Sequence, residues 1–192
     1  MMKPKVIDGR PYVELCSYGE IHPPGPSALV ARGHFGDKPI TILEIGVLRG
    51  HNAEAMNKLL KPELMVLVDP WGFCGETHDS NWADTWFRIQ DDENIVVLKA
   101  KSELASKLLT CNFDFIYIGG DHIGGELSPT TEEEGIRKDI KLWLPRVNEG
   151  GIIAGHDYNY DNIGLEVNTV FGDKVNHSPY VKNGTQEWWV YV

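Results

Sequence analysis

Basic residues are scarce in this chain. Lys and Arg together number 18 against 28 Asp and Glu, which gives a formal charge of −10 at pH 7. Binding to a phosphate backbone draws its affinity mainly from Lys and Arg that displace counterions, so no nucleic-acid partner is expected. No apolar run approaches the roughly 20 residues needed to span a bilayer, and no membrane partner is expected either. The N-terminal MMKPKVIDGRPYVEL carries lysines but no apolar stretch of the kind a secretory leader needs, so the expected setting is cytoplasmic. Cysteine is rare as well. Cys16, Cys74 and Cys111 are far apart, odd in number and in no CxxC pattern, which excludes a zinc ribbon and fits reduced thiols. There is no internal repeat, low-complexity tract or linker. A length of 192 residues fits one domain with a single sizeable core. A small-molecule ligand is the partner these absences leave.

What is present centres on Ile40 to His51, ITILEIGVLRGH. Its apolar, β-branched start has no helical period and reads as a strand buried on both faces. The run enters Gly46 and Gly50 and then a helical stretch, Asn52 to Leu60. A buried strand, a glycine turn and a helix N-terminus together let a ligand lie against bare backbone. Glu44 is the odd residue, because a carboxylate in a buried strand is costly unless it is paired or reaches a ligand. The segment G-V-L-R-G lacks the central glycine of the dinucleotide fingerprint, the one that admits a pyrophosphate. Asp69 ends the next apolar run, where an acid commonly accepts hydrogen bonds from a ribose diol. A ribose without a pyrophosphate points to a nucleoside.

Residues 1–39 are loop-rich, and IHPPGPSALVARGHFGDKP holds four prolines. Only Ser27 to Arg32 reads as helical, with Ser27 as its N-cap. This segment is either an arm packed over a sheet edge or a flap over the pocket. Further strands are expected at Leu64 to Val68, Asn94 to Leu98, Phe113 to Ile118 and Ile152 to Ala154, the last entered by a turn at Gly150-Gly151. Helices are expected at Trp82 to Gln90, from a cap at Ser102 through Leu109, from Thr131 with its leading glutamates, and from about Gly164 to Phe171. Two final strands, near 174–181 and 187–192, would turn through Asn183-Gly184. Alternation of this kind predicts an α/β fold, a parallel sheet covered on both faces with an antiparallel edge. Its ligand site lies at the carboxyl ends of the strands, where Glu44, Gly46, Gly50, Asp69, Lys101, Ser102, Asp121, His122, His156 and Asp157 gather.

The segments ILEIGVLRG, LVDPWG, FDFIYIGGDH and WLPRVNEGGIIAGHDY, in this order, resemble the class I S-adenosylmethionine-dependent methyltransferases. The likeness is to the branch with a DGDH-like and a GHDY-like segment, that of small-molecule O-methyltransferases, and it spans residues 40–160. It implies a Rossmann-like seven-stranded sheet, mostly parallel, with the antiparallel last strand beside the fifth. S-adenosylmethionine would be the donor. Gly46 and Gly50 would face its methionine moiety, with Glu44 shaping the turn, and Asp69 would hold the ribose hydroxyls. Lys101-Ser102 would lie near the adenine, and Trp71 would close on the nucleoside. Residues 1–39 would then be the arm or flap, 40–160 the cofactor-binding core, and 161–192 the final helix and hairpin.

The acceptor half departs from the pattern. Metal-using relatives carry an acid where this chain has Gly119, and oxygen ligands at His156 and Asp157. A hard cation wants oxygen, so His156 and Asp157, with or without Asp121, would hold a softer metal or none. An oxygen acceptor needs a base. His122 and His156, with Asp121 beside the first, are the candidate catalytic groups, because imidazole is the side chain suited to taking a proton at neutral pH. Tyr158, Tyr160 and one of the adjacent pair Trp188 and Trp189 would wall the acceptor pocket; the other tryptophan must face away. The reading is methyl transfer to an oxygen of a small molecule. A nucleoside-binding protein without transfer, or a metal-dependent hydroxylase on the same scaffold, are the alternatives. The tryptophan-rich final strand leaves a homodimer edge open.

Overall fold

The computed structural model describes residues 23–71, 78–120, 135–179 and 186–192. Strands β1 (Thr41–Ile45), β2 (Leu64–Asp69), β3 (Ile95–Lys99), β4 (Phe113–Ile118), β5 (Val147–Gly155), β6 (Asn176–His177) and β7 (Trp188–Tyr191) form one sheet in the order β3-β2-β1-β4-β5-β7-β6. Strands β1 to β5 run parallel, and β7 enters antiparallel between β5 and β6. This is the seven-stranded Rossmann-like arrangement expected from the sequence, with the late strand beside the fifth.

Helices α1 (Pro26–Phe35), α2 (His51–Leu60) and α3 (His78–Ile89) lie on one face. On the other lie α4 (Ser102–Leu108), α5 (Ile136–Trp143) and α6 (Asp161–Phe171). The strands supply both cores by simple alternation. In β1, Ile42 packs under α1 and α2 while Leu43 and Ile45 pack under α4 to α6. Ile136, Ile140 and Trp143 recur at helical spacing and bury the inner stripe of α5. Trp188 is fully buried on the α5–α6 side while Trp189 packs on the opposite face, so the pair splits across the sheet as the pleat requires.

Several local readings are corrected. Gly150-Gly151 does not turn the chain into the fifth strand but lies inside it. Val147 pairs with Phe113 and Ile152 with Phe115, so the extra residues form a bulge in which Gly150 takes a φ of +75°. Ser27 does not cap α1. Gly25 occupies that position, Pro26 opens the helix, and Ser27 is buried in its first turn, where its amide donates to Glu187 Oε2 at 2.7 Å. Ser102 does not cap α4 with its side chain; the hydroxyl donates instead to Asp139 and accepts from Trp143 Nε1 at 2.8 Å. The starts expected at Thr131 and at the Asn183-Gly184 turn lie outside the described residues, as does most of the N-terminal arm. No helix among the described residues is long and apolar enough to cross a membrane.

Gly155 is where β5 passes closest to its neighbours. A Cβ there would stand 2.5 Å from the Ile118 carbonyl and 2.9 Å from the Trp188 ring. Gly155→Ala is expected to cost about 1–3 kcal/mol in urea unfolding, the usual penalty of overpacking; an unchanged midpoint would contradict this packing.

Candidate active site

The turn after β1 is built from backbone that side chains would obstruct. Gly46 has a φ of +80°, and a Cβ on it would run into the backbone of Gly119 and Gly120. Gly50 caps α2 at φ +73°, with Thr85 of α3 3.0 Å from where its Cβ would stand. Both glycines are therefore required by close approach and by backbone conformation.

The turn is held from the neighbouring strand. Asp69 Oδ2 accepts the amides of Val47 at 2.8 Å and Leu48 at 3.0 Å, and Oδ1 accepts that of Trp71 at 2.7 Å. The Leu48 carbonyl accepts Trp71 Nε1 and lies 2.9 Å from the Thr85 hydroxyl. Trp71, expected to close on the nucleoside, is buried, its ring packed on Trp82. It braces the turn from behind.

Glu44 sits under this turn, 1 % exposed. Its Oε1 accepts from Asn52 Nδ2 at 3.0 Å, while Oε2 has no hydrogen-bond partner among the described residues. Burial, chiefly, lifts its carboxyl pKa to about 8 against the opposing Asn52 hydrogen bond, and the Asp69 charge adds to the rise. A buried, unpartnered carboxyl oxygen beneath a left-handed glycine turn fits a ligand that brings a cation. The methionine end of S-adenosylmethionine carries such a cation. At the far strand end, Ser102 faces Asp139, whose carboxyl is raised to about 6, mainly by burial. Lys101 is exposed at the mouth of that turn.

Across the sheet, Glu44 pairs in register with Tyr117, and Tyr117 with Ala154. Tyr117 Oη lies 3.2 Å from His156 Nδ1 and 3.3 Å from Glu187 Oε1. His156 Nε2 lies 3.3 Å from Asp157 Oδ2. A Cβ on Gly119 would meet the Gly46 carbonyl, His156 Cε1 and the Tyr117 ring at 3.1–3.2 Å. The ends of β1, β4 and β5 thus converge at one spot, with His156 beside it. The sequence reading missed Tyr117 and Glu187. The only signal for Tyr117 was a polar tip in an apolar strand, and Glu187 gave none. Asp121 and His122 lie outside the described residues.

His156 and Asp157, the expected metal pair, stand together at the end of β5, and Asp121 lies outside the described residues. Among the described residues no group of three or more His, Cys, Asp or Glu is placed to hold an ion. His156 has a polar neighbour at each nitrogen, Tyr117 Oη at Nδ1 and Asp157 Oδ2 at Nε2. Of the expected pocket walls, Tyr158 stacks on His177 and reaches Asn168, whereas Tyr160 is exposed beside the strand ends.

A family described as a methyltransferase domain matches residues 43–158, more than half of the chain. The chain belongs to this family, and its fold is that of the class I S-adenosylmethionine-dependent methyltransferases. Solved structures share the fold at low identity. An rRNA methylase from Streptococcus thermophilus is 13 % identical with a TM-score of 0.59, over 86 % of this chain and 93 % of that one. A precorrin-6y C5,15-methyltransferase from Geobacter metallireducens is 12 % identical with a TM-score of 0.60, over 86 % and 88 %. A candidate methyltransferase from Streptococcus mutans in complex with SAH is 12 % identical with a TM-score of 0.59, over 85 % and 96 %. No curated protein matches the chain.

Glu44 gives the free protein a pH signature. Its folded pKa is raised above the unfolded value, so its contribution to stability is full below about 4.5 and is lost as pH rises through about 8. Urea unfolding at pH 6 and pH 9 is expected to show a loss of at least about 1 kcal/mol that Glu44→Gln removes. An identical loss in the variant would place the titrating group elsewhere.

Proposed function

We propose that this methyltransferase takes its methyl group from S-adenosylmethionine and transfers it to an oxygen of a small molecule, with His156 receiving the acceptor proton. The observation that carries the reading is the convergence of the Gly46 turn, Gly119 and His156 at one point above the sheet. The acidic balance of the chain, −10, supports a small molecule over a polyanionic acceptor.

S-adenosylmethionine, when bound, supplies an activated methyl on a sulfonium. Glu44, ionised by the approach of a cation, holds the ammonium end against the Gly46 turn. Asp69 receives the ribose hydroxyls on the lone pairs its three amide donors leave, and the Lys101-Ser102 turn flanks the base. His156 would orient the acceptor hydroxyl toward the donor. With the donor bound, that oxygen would take the methyl group as its proton passes to the His156 imidazole, and the S–C electron pair would stay on sulfur as S-adenosylhomocysteine. The protein's task is alignment plus a base. Asp121 and His122 are the further candidates on the acceptor side. No step is assigned to a metal.

Turnover against a library of small hydroxylated acceptors, followed as S-adenosylhomocysteine release with and without EDTA, tests the reading. His156→Gln is expected to lower kcat by about 10²–10⁴ with little change in donor KM, and EDTA to leave turnover unchanged. Wild-type kcat in His156→Gln would remove His156 as the base. Binding of S-adenosylmethionine without transfer to any acceptor would favour a pure binding protein.

A further inference from the structure

Beside Asp69, two residues other than glycine hold a left-handed backbone, Leu48 at φ +54° and Trp71 at φ +36°. Leu48 takes the first central position of the turn that the Gly50 amide closes on the Val47 carbonyl at 3.0 Å. A positive φ there belongs to the primed turns, which Gly, Asn and Asp dominate, so a leucine is strained. Leu48 is 61 % exposed, and core packing does not hold it. Hydrogen bonds do. Its amide donates to Asp69 Oδ2 at 3.0 Å, and the Trp71 amide donates to Oδ1 of the same carboxylate at 2.7 Å. The Trp71 indole then donates to the Leu48 carbonyl at 2.9 Å, which closes a ring through both strained residues. An indole N–H only donates, so the direction of this bond is fixed. The Thr85 hydroxyl lies 2.9 Å from that carbonyl and as close to that of Asn81, with one hydrogen for the two. The indole is therefore the donor committed to Leu48.

We infer that Trp71 is a positioning residue for the donor, its indole latching Leu48 in the left-handed turn against which the methionine end lies. The inference rests on the reading that S-adenosylmethionine occupies the Gly46 turn, and adds the group that keeps that turn in its binding shape. Trp71 is 4 % exposed with its ring packed on Trp82, so the indole is a fixed post rather than a lid. Without the latch, the Leu48 carbonyl loses its committed donor and the residue relaxes toward negative φ. That rotation swings the neighbouring peptide groups, and with them the Val47 and Leu48 amides that Asp69 gathers. Only a fraction of the free protein then presents the turn a donor needs, and affinity falls by that fraction. Glycine takes the same φ unaided, so the latch matters only while position 48 carries a side chain.

Isothermal titration of S-adenosylhomocysteine into the full-length wild type, Trp71→Phe, Leu48→Gly and the double variant tests this. Trp71→Phe keeps an aromatic ring and removes the N–H. It is expected to weaken binding about tenfold, as for a buried hydrogen bond left unmade. In the Leu48→Gly background the same change is expected to weaken binding by less than about twofold. A Trp71 that served packing alone would cost the same in both backgrounds, so the non-additivity is the signature. Urea unfolding of ligand-free Leu48→Gly gives a second reading, at an exposed position. Its midpoint is expected to stay or to rise, because glycine removes the strain. Equal penalties in the two backgrounds, unchanged affinity in Trp71→Phe, or a lowered midpoint in Leu48→Gly would each overturn the inference alone. Absence of binding to the wild type at millimolar ligand would instead remove the donor reading, and the latch with it.

Discussion

The Asp69 carboxylate is the constraint on which the site depends. It ends β2 and reaches across to the amides of Val47 and Leu48, which β1 leaves unpaired as it turns, and to Trp71 on its own side. Charge-assisted hydrogen bonds of this kind are stronger than neutral ones, and three on one group fix two adjacent strand ends as a unit. With the turn held there, Leu48 presents its carbonyl to Trp71 and Thr85, α3 closes against Gly50, and Gly46 lies against Gly119-Gly120. The cradle is shaped before any ligand arrives.

Behind that cradle a polar row crosses the apolar sheet. Glu44 and Tyr117 are register partners on the α1–α3 face, and from Tyr117 the row continues to His156 and Glu187. Buried polar groups persist only where they are satisfied or serve a ligand. Tyr117 is satisfied by Glu187 and His156; among the described residues Glu44 is satisfied on one oxygen only, the one turned to Asn52. The difference divides the site. The Glu44 end is built to receive something, and the Tyr117 end is already assembled around an imidazole.

The alternation of strands and helices was legible because each strand is a short apolar run and each inner helix face recurs at helical spacing. Those are local signals, and they placed β1 to β5 within a residue or two except where β5 carries its bulge. The antiparallel strand beside the fifth came from the family resemblance, and the roles proposed for Glu44, Gly46 and Asp69 rest on that resemblance combined with the odd acid in a buried strand. What stayed hidden was long-range. Ser27 and Ser102 look like helix caps in their own windows, but Ser27 is buried with its amide on Glu187, and the Ser102 hydroxyl goes to Asp139 on another helix. Nothing near Trp71 in sequence announced that Trp82 and the Leu48 carbonyl would hold it. The bracing of His156 depends on Tyr117 and Glu187, one strand and one sheet edge away.

The central claim is that the Gly46 turn, pinned by Asp69 over Glu44, is where the donor's methionine and ribose lie. Isothermal titration of S-adenosylhomocysteine into the wild type and into Gly46→Ala tests it most directly. The account predicts saturable binding by the wild type and loss of binding by at least about tenfold in the variant, whose added methyl meets the Gly119-Gly120 backbone at a left-handed φ. Absence of binding to the wild type at millimolar ligand, or equal affinity in Gly46→Ala, would contradict it.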